Sequence, residues 1–208
     1  MKLLFSYVMA FLLAWLGSLG ASLATEPFVL FSPQGSISDA IVRQIDASTS
    51  EILVAAYHFS SPPISQSLVR ASLRGVSVFC ILDRNQEFSS TSSGRFLKSN
   101  GIHIKVDRLE KIFHNKYIVI DRSTFITGSY NFTFNAENKN AENIVFIFNS
   151  SLSADFVADF FKHWDHSTVF IYRPNLSRTF NRPRTPLSFS FFNPHRKEFL
   201  RWRVSLVL

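Results

Sequence analysis

Segments typical of strands alternate with segments typical of helices along this chain, and that alternation restricts the fold more than any other feature. Ile37, Ile41 and Ile45 recur at helical spacing. Ser36 or Ser38 would be a suitable N-cap for that helix. The same patterns predict strands at 28–31, 52–57, 76–82, 102–106, 113–120, 123–127 and 143–148, helices at 64–74, 155–164 and shortly before 100, and a loop over 84–93. We therefore predict an α/β domain in which helices flank a mixed β-sheet.

The first 24 residues have the composition of a secretory signal. Lys2 precedes an apolar run over 3–16, and small residues follow over 17–24. We predict a signal peptide, residues 1–24, that is cut after Ala24. An uncleaved membrane anchor is the alternative, although the run is shorter than the roughly 20 residues that span a bilayer. The protein is accordingly expected to be exported, either to the periplasm or out of the cell.

The last part of the chain, residues 167–208, departs from the pattern of strands and helices. It contains eight basic residues against the single acidic Glu198, which accounts for the whole net charge of +7. We therefore predict a catalytic domain over 25–166 that is neutral overall, followed by a basic, aromatic-rich tail. The tail has three interpretations: a nucleic-acid-binding arm, a membrane-surface segment or a poorly ordered extension. The last of these is the simplest.

One short region carries the residues suited to phosphate chemistry. Its candidate site residues are His114, Lys116, Asp121, Gly128, Ser129 and Asn131. In a strand over 113–120, His114 and Lys116 would point to the same face, and Asp121 would have the opposite parity. Asp121 is therefore expected to lie away from the phosphate.

These side chains fit the cleavage of a phosphodiester. Negative charge grows on the nonbridging oxygens as phosphorus is attacked, and Lys116, Ser129 and Asn131 are donors that suit those oxygens. His114 can act as a nucleophile or a proton donor near neutral pH. The sequence contains no His-x-x-x-His motif and no acidic cluster at ligand spacing, so we predict a reaction without a metal or other cofactor.

The pattern H-x-K-x(4)-D-x(6)-G-S-x-N, which runs from His114 to Asn131, resembles the signature of the phospholipase D superfamily. The residues that follow, 132–149, are similar to the small bacterial endonucleases of that superfamily that carry a single motif. Their glutamate before an apolar strand hydrogen-bonds the catalytic histidine, and Glu142 matches it. The resemblance covers about residues 26–165 and implies a phospholipase D-like fold.

The resemblance also implies a mechanism and an assembly. Two copies of the motif are needed, and this chain has one, so two chains would pair across a twofold axis as a homodimer. One His114 would form a phosphohistidine and the other would protonate the leaving oxygen. Lys116 and Asn131 of both chains would hold the phosphate. Asp121 would have a structural role.

Several functions remain open at this point. A non-specific endonuclease acting on DNA or RNA is the primary interpretation. A phospholipase D that hydrolyses phosphatidyl lipids is the second, and a noncatalytic module that binds nucleic acid or membranes is the third. Lys139 could touch the phosphate, although a solvated charge explains it better. His58 could line the cleft, although a capping or edge position explains it at least as well. Asn131 begins a glycosylation sequon, and because a glycan there would block the motif, a bacterial source is favoured.

Overall fold

The structure is a computed structural model that describes residues 26–173. The predicted signal peptide lies outside the described residues. So does the predicted tail, except for its first seven residues, 167–173.

Within residues 26–173, eight strands form one sheet in the order β1-β7-β6-β5-β2-β3-β4-β8. The strands are β1 (Phe28–Ser32), β2 (Glu51–Ala56), β3 (Ser77–Asp83), β4 (His103–Asp107), β5 (Lys116–Ile120), β6 (Thr124–Gly128), β7 (Glu142–Phe148) and β8 (Thr168–Val169). The pairs β2–β3 and β3–β4 are parallel, and the other neighbouring pairs are antiparallel. The predicted mixed sheet is confirmed.

Helices cover both faces of this sheet. They are α1 (Ile37–Asp46), α2 (Pro62–Leu73), α3 (Gly94–Ser99), α4 (Phe134–Asn138) and α5 (Ser150–His166), with a 3₁₀ turn at Arg84–Glu87. Strand β2 shows why two layers are needed, because its apolar residues alternate between the faces. Ile52 and Val54 pack with α1 and α2, whereas Leu53 and Ala55 pack with α5. Both sets are fully buried.

Helix α5 is held against the sheet by aromatic residues on one of its faces. Phe156 stacks on Phe125 of β6, with ring centroids 4.4 Å apart. Phe160 is fully buried and stacks on Trp164 at 5.8 Å. The helix begins earlier than predicted because the side chain of Asn149 caps it, accepting a hydrogen bond of 2.9 Å from the backbone N–H of Leu152. This helix forms one wall of the site described below.

Three local predictions need correction. The strand predicted from 113 begins only at Lys116, so His114 lies in the preceding loop. Helix α4 was missed, because its single turn is too short to show a periodic pattern. Ser36 does occupy the N-cap position of α1, but its backbone is left-handed and its side chain makes no capping hydrogen bond.

The ordered domain also continues past the predicted boundary at residue 166. Strand β8 pairs with β4, and Phe170 is fully buried in the core. The backbone N–H groups of Ile171 and Arg173 donate to Glu87, at 2.7 and 2.9 Å. Residues 167–173 therefore belong to the α/β domain, because apolar burial and backbone pairing outweigh the change in composition at that point.

No helix within residues 26–173 combines the length and the apolar character that crossing a membrane requires.

Candidate active site

The predicted site residues other than Asp121 lie at one edge of the sheet. Strands β2 and β6 end at this edge and β5 and β7 begin there, because each of these strands runs antiparallel to its neighbour in the order β2-β5-β6-β7. Lys116 pairs with Ala56, and Gly128 pairs with Ile144. Residues distant in the sequence are therefore brought side by side at the strand ends.

His114 is exposed on a loop that is fixed on both sides. The N–H of the buried Phe113 donates to Asp83 Oδ2 at 2.9 Å, and the N–H of Tyr57 donates to the carbonyl of Asn115 at 2.9 Å. The His114 ring lies against the Tyr57 ring, with centroids 4.6 Å apart and planes inclined by 60°. The imidazole is thus presented to solvent on a backbone that is held in place, as an attacking group requires.

Lys116 lies next to His114 but reaches the site from the first position of β5. Its ammonium donates to the His114 carbonyl at 2.9 Å and lies 5.3 Å from the centroid of the Tyr57 ring. Partial burial lowers the pKa of Lys116, and the negative charge of Glu142 opposes that effect. A partly desolvated ammonium with donors to spare is well suited to bind a phosphate oxygen.

Glu142 contacts residues other than His114, the partner that the resemblance implies. Its oxygens accept hydrogen bonds from the Ser129 hydroxyl at 2.6 Å and from the Asn140 amide at 2.9 Å. No hydrogen bond within residues 26–173 joins Glu142 to His114. Ser129 in turn accepts a 3.1 Å hydrogen bond from the N–H of Asn143. The Ser129 hydroxyl is therefore engaged with Glu142, and the pair forms an acidic group close to Lys116.

Gly128 allows this arrangement because the β6 backbone passes very close to β7. A Cβ atom at position 128 would lie 2.2 Å from the Asn143 carbonyl oxygen and 2.8 Å from the Ile144 Cα. Both contacts are with backbone, which cannot move aside as a side chain can. Glycine is required here for the close approach of two strands.

Asn131 brings an amide group that has no partner among the described residues. Its Oδ1 atom is buried and makes no hydrogen bond. The adjoining backbone is held by Phe132, whose N–H donates to the His58 carbonyl at 3.2 Å. A buried polar atom without a partner is costly. Because rotation of the amide exchanges its oxygen and nitrogen, this position can accept from a hydroxyl or donate to a phosphate oxygen.

Asp121 does not reach this edge of the sheet. It follows the other end of β5, where its carboxylate accepts hydrogen bonds of 2.8–3.0 Å from the N–H groups of Thr49, Ser50 and Glu51 and from both hydroxyls of that segment. Burial alone would raise the pKa of Asp121, but these donors outweigh it and hold the pKa at about 2. Asp121 thus ties the start of β2 to the end of β5, as a residue with a structural role would.

His58 lies beside the predicted residues. Its ring stacks on Tyr57 at 4.1 Å with planes only 16° apart. Burial lowers the pKa of His58, Asp83 opposes that effect, and the charges of Lys116 and His114 lower the pKa further. Lys139 is exposed, with its ammonium 5.8 Å from the centroid of the Phe134 ring, as a solvated charge would be.

A cleft of about 400 Å³ opens beside His114 and Lys116. Its opposite wall is formed by α5 through Asp155, Phe156 and Asp159. The hydroxyl of Tyr117 donates to Asp159 at 3.0 Å, which joins the sheet to that wall. Neither Asp155 nor Asp159 is among the predicted site residues, although their spacing of four residues places them on one face of a helix.

The fold and this edge of the sheet define a class of protein: an α/β enzyme that presents a histidine and a lysine to a phosphoryl group. Comparison with known proteins narrows the class. Residues 41–164 match the family model described as "Cardiolipin synthase, PLD-like domain". The chain therefore belongs to the phospholipase D superfamily of phosphodiesterases.

Individual relatives agree with this assignment. Phospholipase D of Rickettsia prowazekii is 35% identical over 131 residues, which are 63% of this chain and 64% of that protein. The mitochondrial cardiolipin hydrolase of Mus musculus is 27% identical over 60% of this chain and 57% of its own length. Among solved structures, Nuc from Salmonella typhimurium, a phospholipase D family member, superposes with a TM-score of 0.68 and 33% identity. That match covers 70% of this chain and 98% of Nuc.

Proposed function

We propose that this protein is a non-specific endonuclease that cleaves DNA or RNA as a homodimer through a phosphohistidine. The observation that carries the proposal is the exposed His114, set beside Lys116 at a sheet edge that bears one copy of the motif. Nucleic acid is favoured as substrate by the similarity of residues 132–149 to small single-motif endonucleases. The match covers nearly the whole length of Nuc. This supports grouping the present chain with the small members of the superfamily.

The proposed reaction has two steps, each with inversion at phosphorus. First, an imidazole nitrogen of His114 forms a bond to phosphorus while the bond to the leaving oxygen breaks, and His114 of a second copy donates a proton to that oxygen. Then the second histidine removes a proton from water, which attacks the phosphohistidine and releases His114 and a phosphomonoester. Lys116 and Asn131 bind the nonbridging oxygens, on which charge accumulates.

The need for a second copy follows from this geometry. Attack and departure take place on opposite sides of phosphorus, and one imidazole cannot serve both. A twofold axis beside His114 would supply the second one from the same surface of another chain. His58 is the alternative proton donor within one chain, since it stacks on Tyr57 near His114.

A phospholipase D activity is the second candidate, and one feature favours it. Leu109 and Ile112, in the loop that leads to His114, are 71% and 48% exposed. Apolar side chains beside a phosphodiesterase site suit a lipid surface. The names of the Rickettsia and mouse relatives point to phospholipid substrates for those proteins.

A direct comparison of substrates tests these proposals. The purified protein would be given plasmid DNA, RNA, and vesicles of phosphatidylcholine or cardiolipin, with His114→Asn as the inactive variant and His103→Asn as the matched control. We expect nucleic acid to be cut by the wild type and by the control but not by His114→Asn. Release of headgroup or phosphatidic acid, without any cutting of nucleic acid, would overturn the nuclease proposal in favour of the phospholipase.

A further inference from the structure

A second group of titratable side chains lies outside the site described above. Asp107 is the last residue of β4, and His163 and His166 lie in the last turn of α5. His163 Nδ1 is 2.7 Å and His166 Nε2 is 2.9 Å from the same oxygen, Asp107 Oδ2. Three potential metal-ligating atoms thus converge on one point, all within 4.8 Å of one another.

We propose that Asp107, His163 and His166 bind one divalent transition-metal ion of the zinc class. Two imidazoles and a carboxylate are a ligand set that zinc accepts, with water in the fourth position. Zinc–nitrogen and zinc–oxygen bonds of roughly 2.0–2.1 Å place tetrahedral ligand atoms about 3.3 Å apart. The nitrogens already lie within about half an ångström of that spacing from the carboxylate oxygen, so small side-chain rotations would admit the ion.

The groups behind these ligands are arranged as they are in zinc sites. The other oxygen of Asp107 accepts hydrogen bonds from the N–H groups of Leu109 and Glu110, at 2.9 and 3.3 Å, which fixes the carboxylate. The second nitrogen of His163 faces Asp159, whose oxygen is 3.6 Å away. Ligating histidines in proteins characteristically direct their second nitrogen to a carboxylate or a carbonyl, which sets the tautomer and raises the basicity of the ligand.

Electrostatics and access also suit a cation. The last turn of a helix carries the negative end of its dipole, which favours positive charge. Arg108, the residue after Asp107, is paired with the buried Glu87, so its charge is already compensated. The Asp107 side chain is fully buried, whereas His166 is 27% exposed. An ion can therefore enter from the side of His166 and keep a water ligand there.

Such an ion would fasten the end of α5 to the end of β4. Asp159 connects it to the cleft, because the same carboxylate that faces His163 accepts the Tyr117 hydroxyl. The ion would thus hold the helical wall of the cleft, and it would take no part in bond breaking. Without an ion, each imidazole would simply donate one N–H to Asp107, and that arrangement is the competing outcome of the test.

The test uses the full chain without a histidine tag, stripped of metal and then titrated with Zn²⁺ against a chromogenic chelator. We expect one tightly bound ion per chain and an increase in the thermal melting temperature when Zn²⁺ is present. His166→Gln and Asp107→Asn should weaken binding by at least about tenfold, since even changes behind the ligands cost that much. His103→Gln and His114→Gln should bind as the wild type does.

A measurement on the wild type removes any dependence on the folding of the variants. Nitrogen-15 spectra of the imidazole groups should show the His163 and His166 resonances shifting on addition of one equivalent of Zn²⁺, with His103 unchanged. The proposal is overturned if no stoichiometric ion binds. It is equally overturned if the bound ion is retained in folded His166→Gln, or if it shifts the resonances of His58 and His114 instead.

Discussion

Asp121→Asn separates a structural role of this signature residue from a catalytic one. The carboxylate accepts five hydrogen bonds from the segment at Thr49–Glu51, at the end of β5 opposite to His114. Its pKa of about 2, against an ordinary value of 3.8, corresponds to about 2.5 kcal/mol at about 1.4 kcal/mol for each tenfold change in proton affinity. Because the group is partly exposed, solvent screening reduces this figure, and we expect a loss of about 1–2 kcal/mol in the free energy of unfolding.

The pH dependence of this loss has a definite sign. The pKa of Asp121 is lower in the folded protein than in the unfolded chain, so its contribution is complete above about pH 4. It is lost as the pH falls from about 4 toward 2. Urea unfolding of wild type and Asp121→Asn should therefore show a difference in stability at pH 7 that narrows as the pH falls below 4.

The matched control is Asp165→Asn, which removes an exposed carboxylate from α5 and should change stability by less than about 0.5 kcal/mol. At a temperature where Asp121→Asn is fully folded, its kcat should stay within a few-fold of the wild type. Unchanged stability combined with a kcat lowered more than a hundredfold would refute the structural assignment and place Asp121 in the chemistry.

Three other perturbations test further parts of the account. Gly128→Ala should destabilise the fold by about 1–3 kcal/mol and lower activity, because its Cβ would collide with the β7 backbone; a wild-type urea midpoint would show that the strands can separate freely. Deleting residues 174–208, which keeps Phe170 in the core, should leave the fold intact and flatten the dependence of log affinity for nucleic acid on log salt; an unchanged slope would exclude the tail as a phosphate-binding arm. Nuclease activity at 25 °C should survive EDTA even if the melting temperature falls, since the proposed ion takes no part in the bond-breaking step; activity lost on chelation and restored by Mg²⁺ would indicate a metal-assisted reaction.

The sequence predicted the parts of the fold that depend on local patterns. The strand β2 and the helix α5 follow from apolar patterns in the sequence, and the structure has both. The order of the strands follows no local pattern, because it depends on which apolar faces meet in three dimensions. The end of the domain was misplaced for a related reason: Phe170 is fully buried, and its ring lies against Gly94 of α3, which is far away in the sequence.

The same distinction between local patterns and three-dimensional contacts applies to the candidate site. The motif predicted His114, Lys116 and Asn131 as site residues, and the structure places Asp121 apart from them because it follows the opposite end of β5. Contacts between side chains were harder to predict from the sequence. Glu142 binds Ser129 and Asn140 at the adjoining strand ends, and this depends on the register of β6 against β7.

The proposed metal ligands show most clearly what could not be predicted from the sequence. His163 and His166 are three residues apart and share a helix face, but their partner Asp107 lies more than fifty residues earlier in the chain. No spacing rule joins them. Only the antiparallel return of α5 across the sheet brings its last turn to the end of β4.

The central claim is that His114 is the nucleophile, and trapping the intermediate tests it most directly. An end-labelled oligonucleotide would be mixed with the enzyme and quenched in denaturant within the first turnover, and the adduct located by peptide mass spectrometry. We predict a covalent adduct on His114 that is stable in alkali and labile in acid, present in His103→Asn and absent in His114→Asn. Turnover of the oligonucleotide with the adduct on His58, or cleavage by His114→Asn at the wild-type rate, would contradict the account.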